Sequence, residues 1–289
     1  MMIFNKIKAV LAIAAAAAAL LSAECVSAAE KAIGVSKNVA VERRAISTDY
    51  TEVEVSRAVH LTIEERTDGV AVVRANENVL PYIYVQVADG KLKAGISGDL
   101  SITGSSGRLV VEISVPYSGH IESVELSGAS SVVALPLLKS ERFSAGISGA
   151  SHLKADIESA KCEIEASGAS SVQCGVTGGT LGLEVGGASS FKGALNVIKS
   201  EIEVSGGSRA TLSGSSSSAE IEVSGAASLQ ASDLGTEVCS IESSGASSAE
   251  IQCSKSLSAR ASGASSIRYS GECRVAVSST SGMGKISKR

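Results

Sequence analysis

The sequence predicts an all-β fold: a single-stranded parallel β-helix, or solenoid, with coils of about nineteen residues and a less regular N-terminal cap region. Three observations predict it. A Ser-Gly-Ala-Ser motif, or a close variant, recurs with its glycine at 128, 149, 168, 187, 206, 225, 245 and 263. Between those glycines apolar residues alternate with a period of two, not the roughly 3.6 of a helix. The composition suits a thin core, with no Trp, 3% aromatic residues and 29 Gly. The usual crossover preference makes the expected hand right.

Residues 1–28 read as a signal peptide. Lys6 and Lys8 supply a positive start, and Ala9 to Leu21 is an apolar run of thirteen residues. That run is too short to cross a hydrocarbon core of about 30 Å. Val26-Ser27-Ala28 places small or apolar residues before a cut after Ala28, or one residue later. Cys25 raises a lipoprotein alternative, but Glu24 stands where such a signal carries a small residue. Removing the leader takes the net charge from −4 to −5, because Lys6, Lys8 and Glu24 leave together. A mildly acidic chain lacks the basic field that nucleic acid requires. No later segment reaches about eighteen apolar residues, so no transmembrane segment is expected after the leader. The expected location is therefore the periplasm, the outer-membrane surface or the medium.

Residues 29–44 read as a linker, and 45–289 as a single solenoid domain. Within it, 45–117 are irregular first coils: Val53/Val55, Leu61/Ile63, Val70/Val72, Ile83/Val85/Val87 and Val111/Ile113/Val115 alternate, but their turns vary. Residues 118–289 carry the regular repeats. Ile164/Ala166, Leu183/Val185, Ile202/Val204 and Ile221/Val223 precede the glycine, and Leu153/Ala155, Val172/Cys174 and Leu229/Ala231 follow it. Each unit therefore reads as two or three short strands with one inward face, and the Gly-Ala step as a corner. One coil cannot bury its own face, but stacked coils about 4.8 Å apart can. In the last repeat the alternation of Cys273, Val275 and Val277 places Ser279, not Gly282, at the corner.

These features resemble the GIN-domain family, described as auto-transporter adhesin head domains. The resemblance rests on Val70 to Leu80, Tyr82 to Leu92, Glu112 to Pro116 running into the Ser-Gly-Ala-Ser repeats, and Ser281 to Ile286. It spans about Ile46 to Ile286. It implies an exported β-solenoid of the Bacteroidetes type and an adhesin-like role, and it supplies no catalytic residues to carry over.

The chemistry on offer lies in columns. Glu165, Glu184, Glu203, Glu222 and Glu242 stand three before successive repeat glycines, with Glu125 earlier and Arg260 at the end. Stacked, these carboxylates are either a cation site, Ca²⁺ being the natural hard-oxygen candidate, or a solvated acidic stripe. The stripe is the simpler reading. Ser127, Ser148, Ser167, Ser205, Ser224, Ser244 and Ser262 precede the glycines, with Gly186 interrupting, and read as corner stabilisers or as a polar ledge. Cys162 and Cys239, with Cys273 aligned to them, read as small inward hydrophobes, as does Cys174; a disulfide between coils is the alternative. The five cysteines left after the leader are an odd number and make no disulfide framework.

His60, His120 and His152 share no metal-binding or nucleophile-activating window, and no phosphate-binding loop occurs. No catalytic, cofactor-binding or metal residue is therefore assigned, and no cofactor. The expected function is an exported, non-catalytic cell-envelope or surface binding module, adhesin-like, whose partner is a glycan or an envelope protein. Self-association through an open coil edge is compatible with it. The alternatives are a carbohydrate-active lyase or hydrolase on the same fold, and a purely structural envelope scaffold. A surface groove holding clustered Asp or Glu beside Arg or Lys would favour the enzyme.

Overall fold

A computed structural model of the protein describes residues 31–98, 100–103 and 107–289. The signal peptide read at 1–28, and Cys25 with it, lie outside the described residues. The chain is all-β apart from one 3₁₀ turn at Leu80–Tyr82. Nine strands form the N-terminal region: β1 (Lys31–Gly34), β2 (Val39–Ala45), β3 (Glu52–Val55), β4 (His60–Glu64), β5 (Val70–Asn76), β6 (Ile83–Ala88), β7 (Lys91–Ile96), β8 (Leu100–Thr103) and β9 (Val111–Pro116). The solenoid continues through β10 (Ser123–Leu126), β11 (Ser131–Ala134), β12 (Leu138–Ile147), β13 (His152–Ala166), β14 (Ser171–Val185), β15 (Ser190–Val204) and β16 (Arg209–Val223). It ends in β17 (Ser228–Ser243), β18 (Ser248–Ala261), β19 (Ser266–Ser270), β20 (Arg274–Thr280) and β21 (Lys285–Lys288).

The regular coils are parallel and in register at the repeat length. Ser171 pairs with Ser190 and Ser190 with Arg209, each a step of nineteen residues. The two or three short strands expected per unit are joined into one strand of about fifteen residues, because the ladder stays intact around the bend. The bend shows instead in the side chains. In β13 the alternation breaks once, where Ala160 and Lys161 both point outward between buried Ser159 and Cys162. Each coil thus has two sheet faces, joined by this corner and by the glycine turn. Leu, Ile, Val, Ala and Cys fill the space between, with Phe143 and Phe191 buried among them.

The repeat glycines are required where they stand. Gly128, Gly149, Gly168, Gly187, Gly206, Gly225, Gly245 and Gly263 have φ between +70° and +77°. A Cβ at Gly187 would lie 2.6 Å from the carbonyl oxygen of Gly168, the corner glycine of the coil below. That same oxygen accepts the Ala188 N–H at 2.8 Å, so the ladder runs through the turn without interruption.

The N-terminal region departs from a simple stack. β3 and β4 lie parallel to β10 and β11, and β7 and β9 lie parallel to β3 and β4. Beyond them β6 runs antiparallel to β7, β5 antiparallel to β9, and β2 antiparallel to β5. The cause at one edge is the two-residue Asp89-Gly90 turn, with φ of +52° and +73°, which makes β6 and β7 a hairpin. The stretch 29–44, expected as a linker, supplies β1, which pairs with β8, and most of β2.

The last repeat corrects one expectation. Gly282, at φ +65°, occupies the corner, and the Met283 N–H bonds the Gly263 carbonyl. Ser279 instead pairs with Arg260 in the outward column. A bulge explains the misreading: Leu257 pairs with Val275 but Ser258 with Val277, so Ala276 is an extra residue that shifts the alternation. Val275, not Cys273, therefore follows the Cys239–Leu257 column.

Candidate binding surface

The half of each coil that precedes the glycine turn builds an acidic face. The predicted column exists in register, Glu165 on Glu184, Glu203, Glu222 and Glu242. It extends further than the repeat showed, through Gly146 and Glu125 to Glu54 and Lys93. Cations close both ends: Arg260 lies 2.7 Å from Glu242, and Lys93 3.6 Å from Glu54. Glu184 and Glu203, in the middle, are half-buried, and burial followed by the neighbouring carboxylates raises their pKa values. Two neighbouring outward columns carry opposite charge, Lys161 and Lys199 in one and Glu163, Glu201 and Glu220 in the other. Lys161 pairs with Glu163 and Lys199 with Glu201, both at 2.6 Å. Among the described residues, no three acidic, Cys or His side chains converge to hold a metal ion. The carboxylates stack along the axis rather than closing on a point.

The other half of each coil, after the glycine, presents hydroxyls and amides. One column reads Ser171, Ser190, Arg209, Ser228, Ser248, Ser266, and beside it stand Gln173, Lys192, Thr211, Gln230, Glu250, Arg268. Neighbours bond along the axis: Ser190 to Ser171 at 3.2 Å, Ser215 to Asn196 at 3.1 Å and Arg268 to Glu250 at 3.2 Å. His152 continues the first column next to Ser171, and His60 lies two coils below, beyond Ser131. His120 is elsewhere, 2.9 Å from Glu122.

The serines expected to stabilise the corners are not the main ones that do so. Ser148 bonds the Leu126 carbonyl at 3.1 Å, but its column is half-exposed or exposed. The buried column is two residues after the glycines: Ser130, Ser151, Ser170, Ser189, Ser208, Ser247 and Ser265, with Ala227 interrupting. Ser170 and Ser208 each donate at 2.6 Å to the carbonyl three residues back, across the turn. Ser265 donates at 2.9 Å to Ser243 in the coil beneath. The second corner has its own inward hydroxyls. Ser159 bonds the Lys161 carbonyl, Ser216 bonds that of Ser218, and Thr236 bonds that of Gln252.

One shallow depression, of about 420 Å³, interrupts the acidic face where Ser123 and Ser144 stand between Glu52 and Glu163, with Arg142 and Lys161 beside them. Short side chains in the intervening coils make the hollow. Its carboxylates are engaged, Glu163 with Lys161 and Glu52 with Lys91 at 3.0 Å.

Cys162, Cys174, Cys239 and Cys253 are buried free thiols, and Cys273 is half-buried. Burial pushes Cys162 and Cys239 up to about 12, which keeps them unreactive. Cys253 went unplaced in the repeat reading. It occupies the second corner above Thr236, where the alternation signal is weakest.

A family model described as "Putative auto-transporter adhesin, head GIN domain" matches residues 49–193 and 163–273. None of the curated proteins compared matches the sequence. Among solved structures, a "putative adhesin" from Parabacteroides distasonis superposes with a TM-score of 0.66 at 16% identity, covering 90% of this chain and 100% of that one. A "putative adhesin" from Parabacteroides merdae gives 0.61 at 17%, covering 89% and 99%. A "putative lipid binding protein" from Parabacteroides distasonis gives 0.66 at 18%, covering 90% and 100%. At these identities the likeness is one of fold.

Proposed function

The chain belongs to the GIN-domain family of auto-transporter adhesin heads, and from that membership we propose that it is an exported, non-catalytic binding module of the cell envelope or surface. The observation that carries the reading is the flat hydroxyl and amide face, whose columns stay in register from β13 to β19. Such a face sets a hydrogen-bonding side chain about every 4.8 Å along the axis, which suits an extended polymer such as a glycan or an envelope surface. It binds by many weak contacts rather than by enclosure, so affinity comes from length and multivalency. Because the backbone is ordered by the ladder, the face is presented with little ordering cost on binding.

The test is saturable binding of the purified chain to a glycan panel and to isolated cell envelopes. Triple substitution of Gln173, Lys192 and Gln230 to Ala is expected to weaken binding at least about tenfold. Glu201→Gln with Glu220→Gln, on the acidic face, is expected to leave it unchanged. No saturable binding to any polysaccharide or envelope preparation, or sensitivity confined to the acidic face, would refute the reading.

A second reading, a carbohydrate-active enzyme, is favoured by the depression that gathers Glu52, Glu122 and Glu163 around Arg142 and Lys161. Against it, Glu52 and Glu163 are held in ion pairs and Glu122 is bonded to His120. Release of reducing ends from a polysaccharide, abolished by Glu163→Gln, would establish this reading instead.

A further inference from the structure

The C-terminal coil breaks the chemistry of the coils beneath it. At the position after the corner glycine, seven of the eight lower coils carry Ala and the other carries Gly207. The C-terminal coil carries Met283 there, 74% exposed, although its N–H keeps the bond to the coil below, at 2.8 Å to the Gly263 carbonyl. Val277 is the second departure. The bulge at Ala276 places it over Ser258, at the top of the outward column that runs through Glu201, Glu220 and Ser240. It is 39% exposed. Val275 stands inward over Leu257 yet is 38% exposed.

Charge departs with them. Residues 266–289 hold Arg268, Arg274, Lys285, Lys288 and Arg289 against Glu272 alone, a net +4 in a chain of net −4, so the remainder carries −8. Arg268 and Arg289 share Glu250, and Lys288 pairs with Glu272 at 3.0 Å. Arg274 and Lys285 are exposed and form no ion pair among the described residues. The whole-chain charge conceals this basic end. Exposed apolar side chains among cations match a membrane interface, where anionic headgroups take the cations and the boundary beneath them takes the apolar groups. A second copy of the chain fits worse. Lys288 occupies the inward position over Tyr269, so a coil stacked on it would bury an ammonium, and five cations would face five. An acidic polymer would satisfy the cations but leave Met283 without a role.

We propose that the C-terminal coil is an interfacial docking end that meets an anionic, phosphate-bearing lipid surface. Met283 and Val277 enter the headgroup boundary, and Arg274 and Lys285 bind headgroup phosphates. Eight coil steps separate Gly128 from Gly282, roughly 40 Å at about 4.8 Å each. Glu222 and the carboxylates below it lie three or more coils from this end, beyond the screening length of about 8 Å at physiological salt. They stay clear of the surface when the stack stands on its C-terminal end, and are repelled by it when the stack lies flat. The end therefore sets an orientation as well as a contact, and the hydroxyl and amide face runs away from the lipid. Encounter with such a surface in the cell rests on the export reading; the chemistry of the end does not.

The test is co-sedimentation of the purified chain with vesicles of phosphatidylcholine, alone or with about one third phosphatidylglycerol. Binding to the anionic vesicles is expected to be at least about tenfold stronger and to weaken with added salt. Arg274→Gln with Lys285→Gln is expected to reduce it at least about tenfold, and Met283→Ala at least about threefold. Lys37→Gln with Lys139→Gln, the same charge change at distant exposed positions, is expected to leave it unchanged. The chain holds no Trp, so Met283→Trp reports insertion directly. Its emission is expected to shift to the blue on anionic vesicles, while that of Val41→Trp, at an exposed position in β2, stays fixed. Equal binding to both vesicles, binding to neither, full binding by the Arg274/Lys285 or the Met283→Ala variant, or equal blue shifts at both Trp positions would each overturn the proposal. A dimer in solution whose formation blocks vesicle binding would overturn it too, and would assign the end to a second copy.

Discussion

At the scale of single residues, Glu184 and Glu203 show what an in-register stack costs. Each faces a like charge above and below at the coil spacing, and like charges directly opposite in a sheet destabilise by a few tenths of a kcal/mol. Their pKa values are raised in the folded state, chiefly by burial. A carboxyl with a raised pKa binds its proton more tightly folded than unfolded, so stability falls as pH rises from the ordinary 4.5 through the raised value. The column therefore favours the folded state more at pH 5 than at pH 7. Glu184→Gln with Glu203→Gln is expected to raise unfolding stability at pH 7 by roughly 0.5 kcal/mol, discounted for solvent screening, and to flatten its pH dependence. Urea unfolding at pH 5 and pH 7 checks both. This column was legible because the glycine numbered every coil, whereas Lys93 and Glu54 were not, since they precede the first repeat motif. The serine expectation held at Ser148 but missed the main, buried column. Ser127 and Ser130 both flank Gly128, and composition cannot distinguish them. Alternation can: Ser130, like Val132, has even spacing into the strand and so points inward.

At the scale of the element, the unit is a coil of about nineteen residues, and the coils of twenty and eighteen that begin at Gly225 and Gly245 keep their inward faces through bulges. Deleting Gly187 to Ser205 removes one whole coil and joins Gly186 to Gly206, preserving every inward position on both sides. The shortened chain is expected to fold with native-like circular dichroism and a urea m-value smaller by about one part in ten, since each coil contacts its neighbours alone. Deleting only Gly187 to Leu195 shifts the face by an odd number of residues and turns the following strand inside out. That variant is expected to lose cooperative unfolding. Retention of a sharp transition by the half-coil deletion would contradict the account. Elements whose pattern obeyed the period were read correctly. Those that departed from it were misread, and for local reasons. The Ala276 bulge moved the expected corner from Gly282 to Ser279. The Asp89-Gly90 pair carried a hairpin signal in plain view, but alternation alone reports neither strand direction nor partner.

At the scale of the whole molecule, the stack separates two chemistries onto two faces that one chain of repeats must supply together. Most coils contribute Ser, Thr, Gln or Lys after the glycine and Glu before the next, so the faces grow with coil number and not with any single residue. This explains why no motif for catalysis emerged and why the shallow depression did not either. It arises from Ser123 and Ser144 meeting Glu52 and Glu163 across coils far apart in sequence. The same logic makes the exposed C-terminal coil the weakest place in the stack, because it has a neighbour on one side.

The adhesin-like reading requires, beyond export to the envelope, that this surface be displayed outside the cell. Paired coils resist proteases, so the direct measurement is chemical: intact host cells treated with a membrane-impermeant amine reagent, followed by peptide mapping. Exposed Lys154 and Lys192 lie on the proposed binding face. The account predicts that both are modified in intact cells while a resident periplasmic protein remains unlabelled. Modification of Lys154 and Lys192 only after the envelope is breached would contradict it.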